Sequence, residues 1–321
     1  PVGQPKNKHM ELGPRDRLSQ AFWQEQQKGR VIQGPMGDVV HLDLRHLGEK
    51  YLKERLPFIC ELAKAYVGVD PVKEPIPVRP TAHYTMGGIE TDGKCATRMP
   101  GLYAAGECAS VGLHGANRLG SNSLSEIVVF GKVAGEQAAE FAATQQHGNT
   151  EALAAKAEAL IKQHLSLLDI DGTENPADIR NELGMSMEAG VGIYRTEELM
   201  QGTIDKINEL KARYKKIKIN DKSSVFNTDL LYAIELGYML DVAEAMAHSA
   251  INRKESRGSH QRLDGYEERD DVNYLKHSLS FYNQEGAPTI DYSDVKITKS
   301  QPAKRVYGSE GEKQDEAKKN G

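Results

Sequence analysis

The stretch His114–Leu124 combines a cationic side chain with residues that begin a helix. Gly115 and Gly120 allow positive φ or a close backbone approach to a ligand, and residues 121–123 are Ser-Asn-Ser, typical of helix N-caps. A helix N-terminus attracts anions, and the planar guanidinium of Arg118 fits a carboxylate. The stretch therefore predicts a binding place for a phosphate, a carboxylate or an anionic ring edge. The alternative is a glycine-rich connection whose arginine pairs with a structural aspartate.

Two further polar residues precede this stretch. Glu107 ends a predicted short strand, 102–107, where an acid can accept hydrogen bonds from a ribose; it can equally be a solvated or salt-bridged carboxylate. His83 follows a proline-rich segment and, taken alone, is more often structural, because a metal site needs several ligands.

The residues around the glycine-rich stretch predict the elements that must position it. After Leu124, apolar residues continue to Thr144 at helical spacing and on nearly all faces, which is typical of a buried helix. A strand, a glycine-rich loop and a buried helix in this order indicate part of a nucleotide-binding α/β domain.

The first 80 residues predict a mixed α+β region. We expect irregular chain up to Pro14, a helix over 15–28, a strand over 38–45 and a helix over 46–67 that Pro57 breaks. Residues 70–80 contain four prolines and predict an extended connector without a regular element, with a domain boundary there.

The chain beyond residue 150 predicts a helical bundle followed by a small β region. The expected helices are 151–168, 176–189, 196–217 and 227–251. The polar run 253–260 is interpreted as a network that fixes the bundle against another domain. Two strands, 273–282 and 289–297, should pair around Gly286, and 309–321 should form a disordered tail.

The composition excludes several classes of protein. The 321 residues carry a net charge of −5 and show no basic face, so nucleic acid is not expected as a main partner. Cys60, Cys95 and Cys108 lack metal-type or paired spacing and predict reduced thiols in a cytosolic setting. Neither a signal peptide nor an apolar run of about 20 residues occurs. The start at Pro1, in what reads as a loop, suggests a fragment.

Four segments together resemble the flavoprotein subunit of the fumarate reductase and succinate dehydrogenase family. They are 83–89, 101–107, 114–124 and 253–260. The resemblance runs over essentially the whole chain in consistent order and corresponds to the C-terminal portion of that subunit. It implies an α/β FAD-binding domain portion plus a partial α+β capping domain, then a helical bundle and a small C-terminal β-containing region. The corresponding division is 1–80, 81–148, 149–262 and 263–321.

The resemblance implies a role for each matching residue. Arg15 matches the arginine assigned as proton donor to the substrate, and His83 and Arg118 match the pair that holds a dicarboxylate. The FAD-contacting positions match Glu107, Ser123 and Leu124. No metal site is implied. An arginine holds its proton tightly, so proton donation by Arg15 requires a relay, and electrostatic stabilisation alone is the alternative.

The resemblance also implies the reaction and the partners. Reduced FAD would transfer hydride to fumarate and form succinate in anaerobic respiration. Electrons would come from menaquinol through a membrane anchor and an iron–sulfur subunit, at the cytoplasmic face of the bacterial inner membrane. The sequence contains no Gly-x-Gly-x-x-Gly turn for the FAD pyrophosphate, and the histidine that attaches FAD covalently in the family has no counterpart in it. We therefore expect the chain alone to be inactive.

Three other functions remain open at this point. A succinate dehydrogenase would run the same site in the opposite direction, and an L-aspartate oxidase would share the architecture with an amino-acid substrate. The chain could also be a non-catalytic module that docks an iron–sulfur protein through its helices.

Overall fold

The computed structural model describes residues 13–34, 37–146, 148–299 and 301–303. These residues divide into two compact units, one containing the chain up to His83 together with 301–303, and one spanning Tyr84–Lys299. The predicted irregular start falls almost wholly, and the predicted tail wholly, outside the described residues. The division into four domains stays a prediction.

The first unit contains a three-stranded antiparallel sheet in the order β1, β2, β3. Its strands are β1 (Ile32–Gly34), β2 (Gly37–Leu42) and β3 (Ile76–Val78), and β2 is central because it pairs with β1 through Val39 and with β3 through Val40. The prediction of a connector without a regular element was therefore wrong for residues 76–78. A proline such as Pro77 is compatible with an edge strand.

Three helices accompany this sheet, at the places that the periodicity predicted. They are α1 (Arg15–Gln27), α2 (Glu49–Arg55) and α3 (Pro57–Val67), with a short 3₁₀ turn at Arg45–Leu47. Pro57 is the first residue of α3, where its missing N–H has no helical partner to lose. The helices bury Phe22, Leu52 and Ala63.

The second unit begins with a two-stranded parallel sheet of β4 (Ile89–Glu90) and β5 (Ala109–Ser110). The predicted strand over 102–107 was wrong, since that segment forms only a bridge between Tyr103 and Ala96. Gly106 has φ of 80°, which interrupts the extended backbone before β5.

The helix α4 (Asn122–Thr144) follows the glycine-rich stretch as predicted, but it is not a buried helix. Glu126 is its only buried residue, whereas Leu124, Ile127, Val128 and Val129 are exposed. The prediction of a buried helix was therefore wrong for the described residues, because they cover only a small part of the apolar surface of α4.

Four helices follow α4, as predicted, and the last three of them supply the helical residues of the core. They are α5 (Thr150–Leu165), α6 (Pro176–Val191), α7 (Glu197–Tyr214) and α8 (Thr228–Asn252). Each begins after a residue whose side-chain oxygen accepts a hydrogen bond from a backbone N–H of the first turn; these caps are Asn149, Asn175, Thr196 and Asn227. The core contains large apolar side chains of α6, α7 and α8, among them Ile179, Met200, Ile207, Leu210, Leu236 and Leu240, together with Ile217 and Ile219 from the segment after α7.

The polar run after α8 forms a dense network within the second unit. Glu255 is fully buried and accepts hydrogen bonds from Arg253 and Arg257, while Arg262 pairs with Asp264. Beyond it, β6 (Lys276–Phe281) and β7 (Thr289–Asp294) form the expected antiparallel pair. Among the described residues, no helix is both long and apolar enough to cross a membrane.

The fold class agrees with the prediction. An α+β unit is followed by an α/β portion, a helical bundle and a small β region.

Candidate functional site

The side chains of Tyr84, His114 and Glu126 form a polar triangle at the start of α4, in which Tyr84 is half-buried. Nε2 of His114 lies 2.6 Å from Oε2 of Glu126, the Tyr84 hydroxyl lies 2.7 Å from the same oxygen, and the hydroxyl lies 3.2 Å from Nε2 of His114. The side chains of His114 and Glu126 are only 4% and 2% exposed. The triangle joins three segments of the second unit: the segment that begins at Tyr84, the glycine-rich stretch and the first turns of α4.

The hydrogens of this triangle can be assigned from its chemistry. A carboxylate only accepts, so Glu126 receives the Tyr84 O–H. The tautomer of His114 that carries its proton on Nε2 donates to the same carboxylate oxygen. Burial, together with the hydrogen bond to Glu126, raises the pKa of Tyr84 to about 12, so its hydroxyl remains a donor at neutral pH.

The guanidinium of Arg118 lies over the face of the Tyr84 ring, with its carbon 4.6 Å from the ring centroid. Nη1 donates to the carbonyl of Leu119 at 3.3 Å, and Nε is buried without a hydrogen-bond partner among the described residues. Among the residues that the structure describes, no acidic side chain forms an ion pair with Arg118; the nearby Glu126 pairs with His114. The alternative in which Arg118 pairs with a structural aspartate is therefore not supported. The N–H groups of its guanidinium can donate hydrogen bonds to the carboxylate of a ligand.

The start of α4 has a different geometry from the predicted N-cap. Ser121 occupies the cap position with φ of 64° and makes no side-chain capping hydrogen bond. Its carbonyl instead accepts the N–H of Leu124 at 3.1 Å, and the carbonyl of Leu119 accepts that of Asn122 at 3.2 Å. The predicted helix start is confirmed, but the predicted side-chain cap was wrong, because the left-handed backbone of Ser121 closes a turn there.

The predicted cofactor-contacting residues lie near this helix start. Ser123 is half-buried in the first turn of α4, and Leu124 is 64% exposed. Glu107 is exposed and accepts the backbone N–H of Thr85 at 2.9 Å. It lies in the turn before β5 and not at the end of a strand, because the predicted strand does not form.

Arg15 and His83 belong to the first unit. Arg15 is the exposed first residue of α1, after Gly13 and Pro14. His83 is exposed and directly precedes Tyr84 in the chain. The structure thus brings together Tyr84, His114, Arg118 and Glu126, while the roles of Arg15 and His83 stay predictions.

Sequence reasoning did not identify Tyr84 and Glu126. A signal for Glu126 existed, because it is the one acid in the first turns of α4 and is followed by four apolar residues, and such an acid must find a polar partner if it is buried. Tyr84 had no such signal, since its two partners lie 30 and 42 residues away in the sequence.

A second segment supports the loop that carries Arg118. The carbonyl of Ala116 accepts hydrogen bonds from the backbone N–H of Ser259 at 3.0 Å and from its hydroxyl at 2.9 Å. Gly258 has φ of 60°, and a Cβ there would lie 2.4 Å from the same carbonyl oxygen. The polar run after α8 therefore holds the loop by direct contact.

Two family models match most of the chain. A model described as FAD binding domain matches residues 4–124, and one described as fumarate reductase flavoprotein C-term matches residues 180–307. The first range contains the Arg118 loop and the start of α4, and the second contains most of the bundle and the polar run.

Curated relatives and solved structures agree with these models. Fumarate reductase flavoprotein subunits from a Serratia strain and from Escherichia coli K12 are 69% and 68% identical over 99% of this chain, and the chain covers 54% and 53% of them. The FrdA chain of E. coli quinol fumarate reductase superposes with a TM-score of 0.88 at 68% identity, with 96% of this chain and 53% of that chain covered. The chain thus spans about half the length of the curated relatives that it matches.

Proposed function

The chain belongs to the fumarate reductase flavoprotein family, and we propose that it takes part in reducing fumarate to succinate with FAD as its cofactor. The observation that carries this proposal is the orientation of Arg118. Its guanidinium is stacked on Tyr84 and has no acidic partner among the described residues, so it can bind a carboxylate of fumarate.

The residues of the proposed site would have two tasks, binding of the substrate carboxylates and delivery of a proton. Fumarate has two carboxylates that need cationic or hydrogen-bonding partners, and negative charge develops on the substrate as its alkene is reduced. Arg118 would bind one carboxylate with its planar fork, and His83 would hold the same group by hydrogen bonding. Arg15 would deliver the proton to the neighbouring carbon, or stabilise the developing charge.

The residues near α4 suit a flavin. FAD, when bound, supplies the hydride for the reduction. Glu107 has an exposed carboxylate that can accept hydrogen bonds from ribose hydroxyls, and the N-terminus of a helix 23 residues long favours an anionic ring edge. Ser123 and the exposed side chain of Leu124 would contact the ring from this helix start.

The named relatives suggest the partners. One matching structure is titled quinol-fumarate reductase with menaquinol molecules. By analogy, this chain would receive electrons through an iron–sulfur subunit from a membrane anchor that oxidises menaquinol. It would then lie at the cytoplasmic face of the inner membrane, attached through those partners.

The test replaces the proposed carboxylate ligand. Arg118→Lys in the assembled reductase keeps the charge but loses the planar fork, so kcat/KM for fumarate should fall about 10- to 100-fold. Steady-state fumarate reduction with a reduced viologen dye measures this loss.

A matched control comes from Arg98, which also stacks on an aromatic ring, that of Phe281, but pairs with Glu90. Arg98→Lys should change kcat/KM by less than about twofold. Near-normal turnover of Arg118→Lys would contradict the assignment.

Succinate oxidation is the second candidate, because a succinate dehydrogenase flavoprotein from Rickettsia bellii is 41% identical over 92% of this chain. The two activities share a site and differ in the favoured direction. Both rates should be measured on one preparation, with L-aspartate as a further substrate. Succinate oxidation that far exceeds fumarate reduction with low-potential donors would favour the dehydrogenase.

A further inference from the structure

The tilt of the Tyr84 ring determines how Arg118 can present its N–H groups. An arginine over an aromatic face is attracted to the π electrons, and its N–H groups still point outward in the guanidinium plane, where Nη1 of Arg118 already donates to the Leu119 carbonyl. Since the guanidinium carbon lies 4.6 Å from the ring centroid, we expect a displacement of the ring to displace the guanidinium as well.

Two buried side chains fix the tilt of that ring. The Tyr84 hydroxyl is held by Glu126 at 2.7 Å, and the ring of His114 meets the Tyr84 ring edge-on, with centroids 5.2 Å apart and planes at 87°. The hydrogen bond to Glu126 fixes the hydroxyl end of the ring axis, and the edge contact with His114 opposes rotation of the ring about that axis.

We propose that Tyr84 is a positioning residue for Arg118, and that Glu126 and His114 act through it by fixing the ring. The proposal rests on the proposed function, because it concerns the affinity of Arg118 for a substrate carboxylate. It assigns a role to three side chains that the bound substrate need not touch.

The arrangement of the cluster favours this role over simple stabilisation. Burying a carboxylate such as that of Glu126 is costly, and Nδ1 of His114 is buried without a hydrogen-bond partner among the described residues. Apolar side chains of similar size would fill the same space at lower cost. What they could not do is hold the hydroxyl of an aromatic ring in one direction.

The first test uses two substitutions of Tyr84 in the assembled reductase. Tyr84→Phe keeps the ring and removes its anchor, and Tyr84→Leu removes the ring. The dissociation constant of malonate, an unreactive dicarboxylate, should rise about 3- to 10-fold for Tyr84→Phe and about 10- to 30-fold for Tyr84→Leu by calorimetry. The KM for fumarate should rise in parallel while kcat changes by less than about threefold, because the carboxylate contact acts in the ground state and the transition state alike.

A double-mutant cycle separates positioning from a general structural effect. In an Arg118→Ala background, Tyr84→Phe should no longer weaken malonate binding, because the group that it orients is gone. An equal loss with and without Arg118 would overturn the proposal. Tyr103→Phe is the matched control: Tyr103 packs edge-on against Phe141 in the same unit, and its substitution should leave malonate affinity unchanged.

Crystal structures distinguish a failure of this inference from a failure of the proposed function. If the parent reductase does not bind malonate, the proposed function fails, but the position of Arg118 can still be compared between the parent and Tyr84→Leu. A guanidinium that shifts or loses its order in Tyr84→Leu supports positioning by the ring. A guanidinium that keeps its place would overturn the proposal.

Discussion

At the scale of single residues, His260 shows how burial selects one protonation state. Its Nδ1 accepts a hydrogen bond from Arg195 at 2.8 Å, and its Nε2 donates to the carbonyl of Arg253 at 3.0 Å. Burial, with a further contribution from the charges of Arg195, Arg262 and Arg253, lowers the pKa of His260 to about 4. The ring is therefore neutral at physiological pH, which its acceptor role requires.

This histidine should make the stability of the second unit depend on pH. Below about pH 6.5 the unfolded chain binds a proton at His260 that the folded protein does not bind until about pH 4, so the free energy of unfolding falls over this window. We expect a loss of about 2 kcal/mol between about pH 7 and about pH 5, measured by urea unfolding.

His260→Gln should flatten this dependence, because glutamine can both accept from Arg195 and donate to Arg253 without titrating. His164→Gln on α5, where the ring is partly exposed, is the control and should keep the slope. An unchanged slope in His260→Gln would show that other groups cause it.

The sequence alone identified Arg118 as a candidate anion-binding residue, but it did not identify the side chains that contact it. A planar cation between two glycines and before a helix start indicates an anion site, whatever the fold. The partners of Tyr84 lie 30 and 42 residues further along the chain and reach it only in the folded second unit. No local pattern encodes such a meeting, so the cluster became visible only in the structure.

At the scale of elements, the bundle depends on one face of α8. Leu240 is 1% exposed in the core, whereas Val242, two residues further along the same helix, is 57% exposed. Leu240→Ala should lower the free energy of unfolding by about 2 to 4 kcal/mol, because it removes buried apolar atoms and leaves a cavity. Val242→Ala should cost less than about 1 kcal/mol. Chemical denaturation of both variants measures the difference, and equal losses would contradict the assigned core.

The helices of the bundle were predictable and the short strands were not. Apolar periodicity predicted α5 to α8, and the structure adds an asparagine or threonine cap at the start of each. In contrast, β4 and β5 have two residues each and form only because residues 89 and 109 meet. Such pairing is non-local, so the predicted strand was placed on the preceding apolar residues 102–107.

At the scale of the whole molecule, this 321-residue chain by itself should bind FAD weakly and hold none covalently. The sequence matches an FAD binding domain model over residues 4–124 but contains no Gly-x-Gly-x-x-Gly turn for the pyrophosphate. Flavin fluorescence during titration of the purified chain, followed by acid precipitation, tests both statements. A precipitate that retains flavin would contradict the second.

The contact between Ala116 and Ser259 has a consequence for exchanging parts between relatives. One carbonyl receives both hydrogen bonds from a residue 143 positions later, and glycine at 258 leaves no room for a larger side chain beside it. The shape of the loop that carries Arg118 thus depends on two segments that are far apart in the sequence, the loop itself and residues 258–259. A chimera can be made that joins the first 250 residues of this chain to the C-terminal part of a distant relative. It would contain every residue proposed to bind the substrate. It should still bind fumarate poorly unless the relative supplies a glycine and a serine in place of Gly258 and Ser259.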